Sequence, residues 1–349
     1  MSKSIVGVDI GAASLRAVEI ANPTSARPTL VRFGEVPLPA GSVSRGEVIE
    51  PQTVAQSMRA LWSQAGFKSK QVVLGMGNQR VLARDLTVAK ASKARIQEAL
   101  PFQVQDMLPI PVADALLDFY PVSEGIGEHG PVINGLLIAA VKDAVLGNVR
   151  ASKLAGLHAV GVDLIPFAVS RLLVNRARLT GTVALIDIGA STTSVVLVSD
   201  GVPQFVRLIP SGGDDITNDL ASRLEIPREL AEGAKRTLGL VSSSATKEDK
   251  TASAVIFETV NELLGSLRNT VSYYANTRPT EHVTHIVLSG GGAQLRGLPE
   301  ALAEVTRIPV VAADPLQGVS FARSASEADV RSNVTSLTVA LGLALGSAA

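Results

Sequence analysis

Short runs rich in Val, Leu and Ile come in close pairs along this chain: residues 5–10 with 15–20, and residues 183–188 with 194–198. Their length and composition predict β-strands, and the brief glycine-containing gap inside each pair predicts a hairpin. A further strand is expected at residues 205–209. Helical spacing comes between them. Residues 51–67 begin at a proline and place Val54, Met58, Leu61, Trp62 and Ala65 on one face, as a helix lying on a sheet would, and residues 72–76 give the next strand.

The texture changes from Gly77. Residues 90–100 form a polar, charged helix, Pro101, Pro109 and Pro111 interrupt the segment after it, and residues 123–130 read as a glycine-rich acidic loop between strands at 118–122 and 132–141. The segment 77–142 is thus either a small inserted α+β module or an irregular edge of the first domain. Residues 142–157 are helical, and 160–166 cross to an apolar helix ending near Leu173. In the second half, Ser211 to Thr217 lead into a helix in whose first turn Asp214 and Asp215 act as caps. Residues 227–239 begin with proline and stop at glycine, defining a short helix. A Ser-, Thr-, Lys- and Glu-rich stretch, 242–253, reads as a mobile loop before a long helix at 254–276. The apolar segment 334–346 is too short to span a bilayer and reads as a buried helix.

Composition narrows the function. Of 349 residues, 46% are apolar, and 32 Lys and Arg balance 32 Asp and Glu. Only 3% are aromatic, so no basic groove or stacking platform for nucleic acid is advertised. The chain has no cysteine, which excludes disulfides and thiolate-bound zinc and agrees with a reducing compartment. The first strand comes too soon after Met1 for a signal peptide, so a cytoplasmic protein with no membrane insertion of its own is expected.

The candidate chemistry lies in the two hairpin turns. Gly7-Val-Asp-Ile-Gly-Ala-Ala-Ser-Leu15 recurs as Leu185-Ile-Asp-Ile-Gly-Ala-Ser-Thr-Thr-Ser194. In such a turn, glycine admits an oxyanion to the backbone, and successive N–H groups with the hydroxyls of Ser14, Ser191, Thr192 and Thr193 can donate to it. The strand-end carboxylates Asp9 and Asp187 suit a hydrated Mg²⁺. A third cluster, Gly290-Gly291-Gly292, comes after an apolar strand at 285–289 and precedes a helix opening at Leu298. Its bare backbone can lie against a purine or its α-phosphate. Glu232 and Lys235 share a helix face, either as a surface ion pair or as nucleotide contacts.

Taken in order, these elements resemble the phosphate-1, phosphate-2 and adenosine motifs of the superfamily of actin, DnaK-type chaperones and sugar kinases, over nearly the whole chain. The resemblance implies an α/β actin-like ATPase fold of two ribonuclease H-like lobes. It implies ATP and Mg²⁺ as ligands, with Gly11, Ala12, Ala13, Ser14, Arg16, Gly189, Ala190, Ser191, Thr192, Thr193, Gly213, Gly290, Gly291 and Gly292 on the nucleotide. Asp9 and Asp187 would be on the metal, Glu232 on the ribose and Lys235 beside the base. Within the superfamily, residues 7–20, the stretch from Pro101-Phe102-Gln103 to Asp118-Phe119-Tyr120, and the closing 339–345 resemble the PilM family of type IV pilus assembly proteins. The inserted module is similar to that of PilM and of the division protein FtsA. First-lobe segments are then expected at 1–76, 143–173 and 335–349, the inserted subdomain at 77–142 and the second lobe at 174–334.

This resemblance implies an ATP-binding adaptor, peripheral to the inner membrane through a partner. PilM-like proteins hold the cytoplasmic N-terminal peptide of the bitopic membrane protein PilN and so link it indirectly to other pilus assembly proteins and motor ATPases. Self-association stays open. An FtsA-like filament former and a small-molecule kinase are the alternatives. Hydrolysis is expected to be slow or absent, because Ile165 stands where chaperones carry glutamate before the proline of the first connecting helix; Asp163 is the nearest candidate catalytic carboxylate.

Overall fold

In the computed structural model, residues 4–240 and 246–346 are described. The predicted hairpins form, as Ser4–Ile10 with Ser14–Ala21 and Thr182–Ile188 with Thr193–Ser199, each in continuous antiparallel register. Each seeds one of two main sheets. The first sheet orders its strands His158–Leu164, Gln71–Met76, Ser4–Ile10, Ser14–Ala21, Thr29–Pro37 and Ser320–Phe321. The second runs Val310–Val311, Val283–Ser289, Thr182–Ile188, Thr193–Ser199 and Val202–Ile209. In both, the hairpin and a third antiparallel strand make a meander, and two parallel strands continue beyond the first hairpin strand. The sequence duplication is therefore an architectural one, and it brings both glycine turns to the same ends of equivalent strands.

Helix Pro51–Ala65 buries Val54, Ala55, Met58 and Leu61 on the first lobe, and the left-handed Gly66 ends it. Val334–Gly346 packs across the middle of the first sheet. A methyl group on Gly7 would fall 1.9 Å from the Ala340 carbonyl oxygen, so a side chain there would push this helix off the sheet. With Leu337, Leu341, Leu343 and Ala344 it enters the main core beside the connecting helix Ile165–Ser170.

A three-stranded antiparallel sheet of Val81–Ala89, Gly130–Val141 and Ala115–Gly127, with Gly130–Val141 central, lies between the first lobe's strands in sequence. Helix Lys93–Gln103 covers one face through Ile96 and Leu100, which meet Val88, Phe119 and Leu137. The other face joins the main core, with the Tyr120 and Phe167 rings 4.7 Å apart.

Several expectations are corrected. The module's helix continues past Pro101 to Gln103, the proline lying in its last turn where little of the ladder remains to be broken. Residues 123–127 and 130–131 are also strand, and only Glu128 and His129 remain as turn. Glycine and glutamate are poor strand formers alone, but here Asn134 bonds to both Thr87 and Ser123, and Lys90 pairs with Glu124. Residues 158–164 form the edge strand of the first sheet, and the connecting helix continues beyond Leu173 as a wide π-type turn through Arg176. Of the expected loop, 242–245 lie outside the described residues, whereas Lys247–Ser253 open the helix Lys247–Thr277. Thr246 and Asp249 cap it reciprocally, at 3.1 and 3.3 Å. Finally, the chain has already rejoined the first sheet at Ser320, ahead of the expected residue 335.

Candidate functional site

The two hairpin turns close in the same way. Gly11 N donates to Ser14 O at 3.0 Å and Gly189 N to Thr192 O at 2.9 Å, so the first amide of each turn is spent on the turn itself. The next amides along, of Ala12, Ala13, Ala190, Ser191 and Thr192, bond to no other described residue. They are the available donors. The second turn is also docked on a helix start: Gly213 N and Asp214 N donate to the carbonyls of Gly189 and Ala190, at 3.0 and 2.7 Å. Asp215 accepts from Gly212 N at 3.0 Å, as a cap should, and Asp214 pairs with Arg228 at 2.7 Å.

Both turns open on one cavity of about 970 Å³, lined from both main sheets. The structure brings Asp9, Gly11, Ala12, Ala13, Arg16, Asp187, Gly189, Ala190, Ser191, Thr192, Gly213, Glu232, Lys235, Gly290, Gly291 and Gly292 to its wall. The glycine cluster approaches closely because it has no side chains. Gly290 sits at φ +85°, where a methyl group would lie 2.3 Å from the Ile188 carbonyl, and Gly291 faces open space.

Three expected residues are not brought there. Thr193 is fully buried and its hydroxyl donates to the Ser211 carbonyl at 2.8 Å, fastening the second hairpin to the loop before the capped helix. Ser14 lies in the first strand position after its turn, outside the cavity wall. Asp163 is ion-paired with Arg171 and also outside it, and Ile165 is the residue of that segment facing the cavity. Other lining residues escaped the sequence reading. Arg228 and Arg236 flank Glu232 on its helix, a spacing visible in the sequence, and Asn333, Thr335 and Ser336 belong to the start of the C-terminal helix, which had signalled only burial. Ile216, Val260, Leu263 and Leu295 add apolar side chains to the same wall.

The carboxylates differ in electrostatic setting. Asp9 is buried, which raises its pKa, but Arg16 directly opposite on the neighbouring strand, at 3.4 Å, works against this; Arg16 also pairs with Glu35 at 3.0 Å. Asp187 has Ser194 in the position corresponding to Arg16. Burial pushes its carboxyl up to about 6, with Ser289 beside it opposing and Asp9 adding to the rise. Its Oδ1 atom is buried with no hydrogen-bond partner. Glu232 is the reverse case. Burial works to raise it, but bonds from Lys235, Thr217 and Arg236 hold it at about 2. Lys235 Nζ reaches Glu232 at 2.6 Å, Thr217 Oγ1 at 2.8 Å and the Gly213 carbonyl at 2.9 Å. The ion pair and the cavity position thus coexist. No cluster of three His, Cys, Asp or Glu side chains able to hold a metal occurs among the described residues. A hydrated Mg²⁺ needs only one or two carboxylates, and the orphaned Asp187 oxygen fits one of its waters.

The family model for the type IV pilus assembly protein PilM matches residues 7–348. A solved "PilM-PilN type IV pilus biogenesis complex" contains a chain 28% identical, covering 99% of this chain and 98% of that one, with a TM-score of 0.85. MreB 5 of Spiroplasma citri bound to AMPPNP is 13% identical, with a TM-score of 0.54 and coverage of 96% and 98%. The cell division protein FtsA of Bacillus subtilis (strain 168) is 21% identical over 89% of this chain and 78% of its own length. The fold is that of the actin-like ATPases.

Proposed function

This chain belongs to the PilM family of type IV pilus assembly proteins, and from that premise we propose that it is a cytoplasmic ATP-binding adaptor that grips the N-terminal peptide of a PilN-like membrane protein. The carrying observation is the pair of identically closed glycine turns, each ending a strand with a buried aspartate, opening on one cavity. The free amides of residues 12, 13 and 190–192, with the Ser191 and Thr192 hydroxyls and Arg16, hold the phosphates. Asp9 and Asp187 hold hydrated Mg²⁺, which when bound neutralises phosphate charge. Glu232, ionised and fixed by its three donors, accepts from the ribose hydroxyls. Lys235 and the apolar side chains of the wall take the base, and Gly290 to Gly292 the α-phosphate side.

Turnover is slow or absent. With Asp163 tied to Arg171 and Ile165 facing the cavity, the connecting helix presents no base to orient water, and such help is commonly worth about 10²- to 10⁴-fold. Nucleotide then acts as a conformational ligand that closes the two lobes. The partner reading draws on the PilM-PilN complex, whose PilM-like fold this chain shares. Strand Ala115–Gly127 is one of the two outer strands of the inserted sheet and exposes Leu116 and Ile126, so an extended peptide can pair with its edge and seat side chains beside it. The peptide in turn attaches the adaptor to the inner membrane; among the described residues no helix is long and apolar enough to cross one.

Calorimetry with Mg-ATP and anisotropy of a labelled PilN-like N-terminal peptide, on one preparation, test the two halves. Saturable binding of both supports the reading, and a folded protein that binds neither refutes it. The FtsA relatives keep a filament reading in view, and sedimentation with Mg-ATP separates it, since an adaptor stays in the supernatant.

A further inference from the structure

The two halves of the cleft are built alike except beside their aspartates. In the first sheet Asp9 faces Arg16 across the hairpin, and on the other side the neighbouring strand continues into Gly75. In the second, Asp187 has Ser194 across the hairpin and Ser289 at the same register on the parallel strand. A serine hydroxyl therefore stands where the first half has no side chain at all.

Ser289 is 7% exposed and Asp187 9%. Ser289 is close enough to bear on the ionisation of Asp187, yet Ser289 Oγ and Asp187 Oδ1 are both buried and neither has a properly directed hydrogen-bond partner. Unpartnered polar atoms in a nearly dry position are costly, so the arrangement calls for something that satisfies them. Asp9 has no such need, because Arg16 already pairs with it. A buried carboxylate with an unpartnered oxygen is an available ligand to a cation's water shell, and the hydroxyl at the same register can fix which oxygen is turned towards that shell.

We infer that Ser289 is a positioning residue for Asp187: its hydroxyl sets the rotamer of the carboxylate, so that Asp187 rather than Asp9 carries most of the cation dependence of nucleotide binding. The inference rests on the nucleotide reading of this cavity. Ser289 lies outside the cavity wall, so it has no direct hold on the nucleotide.

The probes are Mg²⁺, ATP and adenosine, and the readout is the ratio of ATP affinity with Mg²⁺ to that in chelator, measured by calorimetry on the full chain. Ser289→Ala should reduce this ratio about three- to tenfold while leaving adenosine affinity within twofold of the parent. Ser289→Thr, which keeps the hydroxyl on a residue suited to a strand, should restore it. Circular dichroism melts establish that both variants fold. An unchanged Mg²⁺ ratio in Ser289→Ala overturns the inference, and so does an equal loss of adenosine and Mg-ATP, which would make Ser289 a packing residue. A Thr variant that folds but stays as defective as Ala overturns it too. If the parent protein itself shows no Mg²⁺-dependent binding of ATP, the nucleotide reading fails first and is recognised as the failing part.

Discussion

Asp187 carries a stability cost that its replacement by asparagine should remove, and the cost can be worked from its surroundings. Its carboxyl is raised from 3.8 to about 6, chiefly by burial. An acid whose folded pKa lies above its unfolded one is protonated longer in the folded state, so the folded protein binds more protons between those values and stability falls as pH rises through the window. The contribution is harmless below about pH 3.8 and fully adverse above about pH 6. At 1.36 kcal/mol per pH step, the span is worth about 3 kcal/mol. Asp187→Asn does not titrate. In chelator, the stability difference between variant and parent should therefore shift in the variant's favour by about 2–3 kcal/mol between pH 4 and pH 8, part of the span already being expressed at pH 4. A constant penalty for an imperfectly bonded amide cancels, because only the change with pH is read. Urea denaturation at both pH values, monitored by circular dichroism, makes the measurement. A difference equal at the two pH values would show that Asp187 is not desolvated as described, and a shift of opposite sign would show that the folded protein stabilises its charge instead of opposing it. The variant should also lose Mg-ATP affinity, which makes Asp187 a site where function is kept at the expense of stability.

Glu232→Ala should weaken adenosine and ATP alike, since it removes the ribose acceptor; calorimetric loss confined to ATP would contradict that role. Because Glu232 is held at about 2, below its ordinary 4.5, its stabilising bonds are fully present above pH 4.5 and are lost only as pH falls towards 2, so adenosine affinity should be flat from pH 8 to pH 5. Arg278 joins the inserted module to the second lobe, reaching Asp85 at 3.1 Å and the Gln204 carbonyl at 3.4 Å while lying 5.0 Å over the Tyr274 ring. Arg278→Ala should cost about 1 kcal/mol in urea melts, as expected for an exposed pair with a cation–π contact, and a double-mutant cycle with Asp85→Ala showing no coupling would dismiss the contact. Leu116→Asp with Ile126→Asp should lower peptide affinity and leave Mg-ATP binding intact; the substitutions suit the test better than deleting the module, because Val81 and Leu136 lie in the main core.

Much of the fold was legible in the sequence wherever one local signal sufficed. The duplicated Asp-Ile-Gly turns announced the two equivalent sheets, because a short apolar strand, a glycine turn and a returning strand fix their own register. The same signals located the cavity wall, since turn glycines and strand-end carboxylates converge whenever equivalent strands face each other. The features that stayed hidden depended on partners distant in the chain. Thr193 carries the same hydroxyl as Thr192, and only the three-dimensional position of Ser211 shows that it is spent. Asp163 was within plausible reach of the cleft until Arg171 claimed it. Residues 123–127 have loop composition and become strand through pairing with 130–134. The Thr246 and Asp249 cap was present in the sequence as a local signal, but the surrounding polar composition masked it.

If one chain holds nucleotide in the interlobe cavity and a partner peptide elsewhere, the two ligands must be separable by mutation, and where lobe closure reshapes the peptide site they are also coupled in the parent. Anisotropy of a labelled PilN-like N-terminal peptide, titrated with parent protein and with Asp187→Ala, is the decisive measurement. The expected result is saturable binding to both proteins, with Mg-ATP altering peptide affinity in the parent alone, and by linkage the peptide altering ATP affinity there by the same factor. Absence of peptide binding to the folded parent, or its loss together with Mg-ATP binding in folded Asp187→Ala, would contradict the two-site adaptor.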